Sequence, residues 1–199
     1  VLITYNVYAQ SLSSGPFTAL QTKHWIGEVK SVTTSGGVHM QFDREGEFSE
    51  IKFNGKSHPE LYESIHIAFP DRWTREEQSS EEDVTQRKIQ RWTFDGKGRP
   101  IVHQLRYSTI STSVTYYIYD DLQRFPSREI TNLYEDYGHS ITITKYIYLK
   151  FDKTGNWTER HVSVETYTHP RETDTNIGPE ILQENKEYVE TASYEYWNK

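Results

Sequence analysis

Between Ile141 and Phe151 the chain alternates with a period of two. Ile141, Ile143, Ile147, Leu149 and Phe151 fall on one side, and Thr142, Thr144, Tyr146, Tyr148 and Lys150 on the other. That period belongs to a β-strand with unlike faces, one aliphatic and one polar and aromatic. Val114, Tyr116 and Ile118 against Thr115, Tyr117 and Tyr119 repeat the division. Helical patterning is scarce: the best candidate is the short stretch from Ile181 to Lys186, after Gly178-Pro179, with the alternative that it leads into the final strand. Residues 168–180, with two prolines and a glycine, read as the longest irregular loop.

What punctuates the strands is repeated. Phe42-Asp43-Arg44-Glu45-Gly46, Phe94-Asp95-Gly96-Lys97-Gly98 and Phe151-Asp152-Lys153-Thr154-Gly155 share an aromatic, an Asp and a Gly at fixed spacing. In a type I turn the first Asp accepts a backbone hydrogen bond, and Gly at the fourth position takes a positive φ that returns the chain antiparallel. Weaker copies occur at Phe69-Pro70-Asp71-Arg72-Trp73 and Tyr119-Asp120-Asp121-Leu122-Gln123. The aromatic positions 42, 69, 94, 119 and 151 are 27, 25, 25 and 32 apart, which suits one hairpin and its return per unit. About a dozen antiparallel strands in meander order are expected.

Composition narrows the function classes. Hydrophobic residues make up only 34% of the 199 positions, yet there are 15 Tyr, 5 Trp and 8 Phe, a β composition with little deep core. The net charge of -7 and the lack of any basic run disfavour nucleic acid. No cysteine is present, which removes disulfides and thiolate chemistry. No stretch approaches the length of a membrane helix. Residues 1–24 are expected to form an N-terminal segment, in which residues 1–10 are either a first strand or the remnant of an export signal. Residues 25–199 are expected to form one hairpin-repeat domain.

The aromatic-Asp-x-x-Gly units, followed by a polar strand as in Asn156-Trp157-Thr158-Glu159-Arg160, resemble the YD repeats of Rhs-type proteins. They look most like the short exported YD-repeat proteins of Bacteroidetes, which often end in a Tyr-rich strand, as Tyr194-Glu195-Tyr196-Trp197 does here. The likeness extends roughly over residues 25–197 and is full at three copies. Pro70 replaces the Asp of one unit, and the unit at Tyr119 lacks the Gly. The resemblance implies an antiparallel hairpin sheet and a periplasmic, outer-membrane-associated or secreted bacterial protein; it implies no catalytic residues. The fold expected is all-β, an antiparallel meander forming an open, curled sheet, with a closed β-barrel as the alternative.

Asp43, Asp95, Asp120 and Asp152 offer too few oxygens per turn for calcium, so Asp43, Gly46, Asp95, Gly98, Asp152 and Gly155 are assigned to turn structure. Eight histidines show no metal-ligand spacing, and no metal or other cofactor is expected. The acidic run from Arg75 to Asp83 reads as a solvated hairpin tip. The candidate binding face is tyrosine: Tyr117, Tyr119, Tyr146, Tyr148, Tyr194 and Tyr196, with Tyr188 beside them, either stack a glycan or grip a protein partner, or they stiffen the sheet. A non-catalytic binding or scaffold protein is expected. The alternatives are a carbohydrate-active enzyme using carboxylates on the concave face and a fragment of a longer array.

Overall fold

The computed structural model describes residues 18–25, 27–59, 65–79, 88–106, 111–120, 123–136, 138–173, 176–177 and 181–197. The readings of residues 1–10 lie outside that set. The described residues form an antiparallel all-β structure, with a helical turn, α1 (Ala19–Thr22), ahead of Val29. The strands are β1 (Val29–Thr34), β2 (Val38–Phe42), β3 (Phe48–Phe53), β4 (Lys56–Ser57), β5 (Ile65–Asp71), β6 (Thr74–Ser79) and β7 (Ile89–Phe94). There follow β8 (Pro100–Arg106), β9 (Thr112–Ile118), β10 (Arg128–Glu135), β11 (Gly138–Phe151), β12 (Trp157–Thr173), β13 (Asn176–Ile177) and β14 (Ile181–Tyr196).

The strands lie in the order β4-β3-β2-β1-β14-β12-β11-β10-β9-β8-β7-β6-β5, with the short β13 hung on β12. This is a meander with its break displaced. The last strand enters beside the first, Val32 opposite Tyr194, and the two edges, β4 and β5, are consecutive in the chain. The eight-residue step from Ser57 to Ile65 can span at most roughly 28 Å, so the sheet curls round until its edges approach without pairing. Both edges resist pairing with other chains, since β4 has two residues and β5 carries Pro70.

Ile181–Lys186 is not helix but the start of the final strand, the alternative reading: it opens β14 and pairs with β12, Thr168 opposite Ile181. For the same reason residues 168–173 extend β12 rather than forming a loop. The three motif turns share one geometry. Gly46, Gly98 and Gly155 have φ of 87°, 75° and 94° and donate to the carbonyls of Asp43, Asp95 and Asp152 at 3.2, 3.0 and 3.1 Å. The Asp95 Oδ1 atom accepts from Lys97 N and Arg99 N at 2.9 Å, and Asp152 Oδ1 from Thr154 N and Asn156 N at 2.9 and 3.0 Å. Asp43 Oδ1 accepts from Glu47 N at 2.9 Å.

One face of the sheet is inside the curl. Phe42, Val32, Ala192, Val162, Thr115, Leu105, Trp92, Arg75 and Glu77 all point there and are buried. The aliphatic side of β11 points outward, leaving Ile147, Leu149 and Phe151 half-exposed. Two small cores fill the interior. The larger joins α1 and Trp25 to Val29, Val32, Met40, Phe42, Ile51, Trp157 and Ala192, and the smaller holds Trp92 and Phe94 under Phe69 and Trp73.

Arg75 and Glu77 are buried, contrary to the solvated-tip reading, because β6 alternates and turns Arg75 and Glu77 inward while Glu76 pairs outside with Arg91. Arg75 reaches from β6 across the curl to the β2–β3 turn, where both of its terminal nitrogens meet the Glu47 carboxylate, at 2.7 and 2.5 Å, while its Nε donates to Glu77 at 2.8 Å. Burial pushes the Glu77 carboxyl up against the opposing pull of Arg75. Arg75→Met strands a buried carboxylate and should cost about 3–5 kcal/mol. Arg75→Met with Glu77→Met should recover most of it, as read by urea unfolding; equal losses would show the ion pair to be unimportant. Gly155→Ala forces a left-handed residue and should cost about 1–2 kcal/mol in the same assay.

Candidate functional site

The sequence groups the tyrosines on the polar side of their strands, and that side lines the curl. Tyr117, Tyr146, Tyr148, Tyr194 and Tyr196 share the inner face, and Tyr119 follows β9 at its rim. Most of their hydroxyls are held by the protein. Tyr119 donates to the Pro100 carbonyl at 2.6 Å, Tyr148 to Pro126 at 2.8 Å and Tyr194 to Trp157 at 2.8 Å. Tyr196 donates to Asp152 and accepts from buried Asn156 Nδ2 at 2.9 Å, so the third motif turn is tied to the last strand. Burial pushes the Tyr117, Tyr119, Tyr148 and Tyr194 phenols up, and all stay protonated. Tyr188 is half-exposed.

Behind them runs a charged row across β10, β11, β12 and β14. Tyr146 is hydrogen-bonded to Glu129, the Arg160 guanidinium lies 4.1 Å from the Tyr146 ring centre and 4.1 Å from that of Trp157, and its Nε donates to Glu190 at 2.8 Å. Burial raises the Glu129 carboxyl, with Arg160 and Tyr146 opposing. Lys23, just after α1, projects into the hollow. Its surface is exposed to the open space, but burial by surrounding protein lowers its pKa, Lys88 adding to this and Glu77 and Glu129 opposing. Hydroxyl pairs complete the polar lining, Thr115 with Thr131 at 2.9 Å and Thr142 with Thr166 at 3.1 Å.

At one mouth of the curl the segment after α1 leaves a cavity of about 270 Å³, lined among the described residues by Gln21, His24, Trp25, Lys97, Gly98, Arg99, Pro100, Gln123 and Arg124. Its back wall is fixed. Arg99 donates to Asp95 Oδ2 at 2.8 Å and to the Gln123 carbonyl at 2.9 Å, and stacks 4.2 Å from the Tyr119 ring centre. Burial pulls Asp95 up, but hydrogen bonds from the Arg99 backbone and side chain and from the Lys97 backbone outweigh it and hold the carboxyl low.

His24 packs edge-on to Tyr117 with ring centres 4.9 Å apart and sits 3.0 Å, Nδ1 to oxygen, from Tyr119. Since the Tyr119 proton goes to Pro100, His24 Nδ1 must be the donor, which fixes the tautomer and leaves Nε2 as an acceptor. Trp25 is buried with no hydrogen-bond partner for its Nε1–H among the described residues, a cost of about 1–3 kcal/mol for an unpaired donor out of water.

Sequence reasoning passed over this cavity. Lys97 and Arg99 belong to a motif turn assigned to structure, and Gln123 and Arg124 to the unit that lacks Gly. Among the described residues no group of three or more His, Asp or Glu side chains is placed to hold a metal ion, and no helix is long and apolar enough to cross a membrane. Comparison with known proteins gives no match: no family model, no curated protein and no solved structure matches the chain. The likeness to YD repeats therefore rests on the turns.

Burial, with neighbouring Lys23, Arg160 and Arg124, holds His24 down at about 3; burial, with Lys23 and Lys88, does the same to His103. Each imidazole takes a proton near pH 6.5 when unfolded. Between those values the unfolded chain binds protons that the folded chain refuses, so stability falls as pH drops from about 6.5 toward 3, by up to about 1.4 kcal/mol per pH unit for each histidine. Thermal melts from pH 7 to pH 4 should show this loss, and His24→Gln with His103→Gln should flatten it. An unchanged slope in the double variant would assign the acid sensitivity elsewhere.

Proposed function

We propose that the protein is a non-catalytic binding protein built of YD-like hairpins, acting outside the bacterial cytoplasm, and that it holds a glycan at the mouth of its curl. One observation carries the reading: the cavity under α1 combines an aromatic wall, two side-chain amides, an imidazole acceptor and cations with no carboxylate among its described lining residues. Amides and an indole beside an aromatic ring are the groups that bind hydroxylated rings. Hydrolysis of a glycosidic bond needs a pair of acids across the substrate, and the described lining residues of this cavity include none. Its volume suits one sugar unit, with a longer chain leaving through the mouth. The tyrosines support the site from behind: Tyr117 and Tyr119 fix His24, and the rest hold strands and turns.

A glycan array probed with the full chain should give saturable binding, and Gln123→Ala should weaken it about three- to tenfold without altering the melting temperature. Tyr196→Phe should lower stability and leave binding unchanged. Absence of any glycan signal would overturn the reading in favour of a protein partner.

A second reading has Glu129 behind it, a carboxyl raised by burial and bonded to Tyr146 on the concave face, the kind of group that serves as a general acid. Release of reducing ends from a panel of polysaccharides, abolished by Glu129→Gln, would favour an enzyme; no release would exclude this role for Glu129 on those substrates.

A further inference from the structure

We infer that the cavity under α1 recognises an acidic sugar, its charged group held between Lys97 and Arg124; this rests on the binding reading above and names the ligand class. The chain carries a net charge of -7, and several of its surface lysines pair with a carboxylate, Lys30 with Glu195, Lys52 with Glu50, Lys145 with Glu165 and Lys150 with Glu159. Of the cavity's three long cations, Arg99 is occupied by Asp95, the Gln123 carbonyl and the Tyr119 ring. Lys97 and Arg124 are exposed, line the same cavity, and among the described residues form no side-chain ion pair or hydrogen bond. Two uncompensated cations on one small concave surface create a local positive potential against a negative whole.

A second observation at the same place points to a ligand. Trp25, only 6% exposed and part of the cavity wall, finds no partner for its indole N–H among the described residues, although native proteins rarely leave a buried donor unpaired. The remaining polar groups are neutral and suited to hydroxyls: the Gln21 amide, whose oxygen is used by Thr18 N at 2.8 Å while its NH₂ group is not, the Gln123 amide, and the His24 acceptor nitrogen. An anion bounded by hydroxyl-binding groups and an indole is the chemistry of a carboxylate-bearing or sulfated sugar. A bare inorganic ion would use the cations and leave the amides idle.

The test is calorimetric titration of the full chain with three probes: an oligogalacturonate, the same oligosaccharide with its carboxylates reduced to alcohols, and inorganic sulfate. The oligogalacturonate should bind at least about tenfold tighter than its neutral counterpart, with affinity falling as salt rises. Lys97→Ala and Arg124→Ala should each weaken acidic binding about tenfold and the neutral sugar by much less. Both side chains are exposed and unpaired among the described residues, so melting temperatures should match wild type. Equal affinity for acidic and neutral sugars, or acidic binding unaffected in the double variant, would overturn the inference and leave the glycan reading standing. Sulfate binding that is lost in the double variant, with no binding of either sugar, would overturn the sugar and keep only an anion site. No binding of any probe would overturn the acidic-sugar inference and, with an empty glycan array, the binding reading too.

Discussion

A sheet bonded strand to strand has two ends, and in this protein Arg75 is where they meet. Backbone hydrogen bonds do not close the ring, since β4 is two residues long and β5 contains a proline. One guanidinium spans the gap from β6 to the β2–β3 turn, satisfied by Glu47 on the far side and Glu77 on its own strand. A buried charge is tolerable only when its partners are in place, so the triad is all or nothing. With it in place, the curl has a fixed radius, and α1 and Trp25 have a fixed space to fill.

The interior that results is unlike a hydrophobic core. A single curled layer has no second sheet to pack against, and the chain's sparse aliphatic content is divided between two small cores and the outer surface. Between the cores the inner face is dressed with tyrosines, threonine pairs and the row from Glu129 to Glu190. Tyrosine suits this position because its ring covers the sheet while its hydroxyl crosses to a carbonyl, as Tyr148 does to Pro126. The same polarity leaves a hollow in which a charged side chain such as Lys23 can stand.

The fold class was legible because strand alternation and turn chemistry are local. Ile141 to Phe151 reads as a two-faced strand at once, and the structure makes it one. What alternation does not tell is which face lies inside; here the aliphatic side of β11 faces out, a consequence of curvature that no single strand encodes. Ile181–Lys186 follows Gly-Pro and carries no strong period, so only its ladder with β12 decides it as strand. Arg75 and Glu77 lie in a run dense with charge, and their partner Glu47 is 28 residues from Arg75. The cavity escaped notice because two of its cations sit in a turn that looks wholly structural. The available signal was the irregular unit at Tyr119: the repeat loses its Gly there, and Gln123 and Arg124, just beyond, line the mouth.

The displaced break in the meander bears on how the protein is made. Each hairpin from β5 to β12 can form as soon as its two strands leave the ribosome, since every partner is next in sequence. Strand β1 is different: it pairs with β2 early but waits for β14, nearly the whole chain later, to cover its other side. Until then an open strand edge and the larger core's Val29 and Val32 stand exposed, and such edges invite pairing between nascent chains. Completion of this fold is therefore a single late event, the insertion of the final strand between two preformed halves.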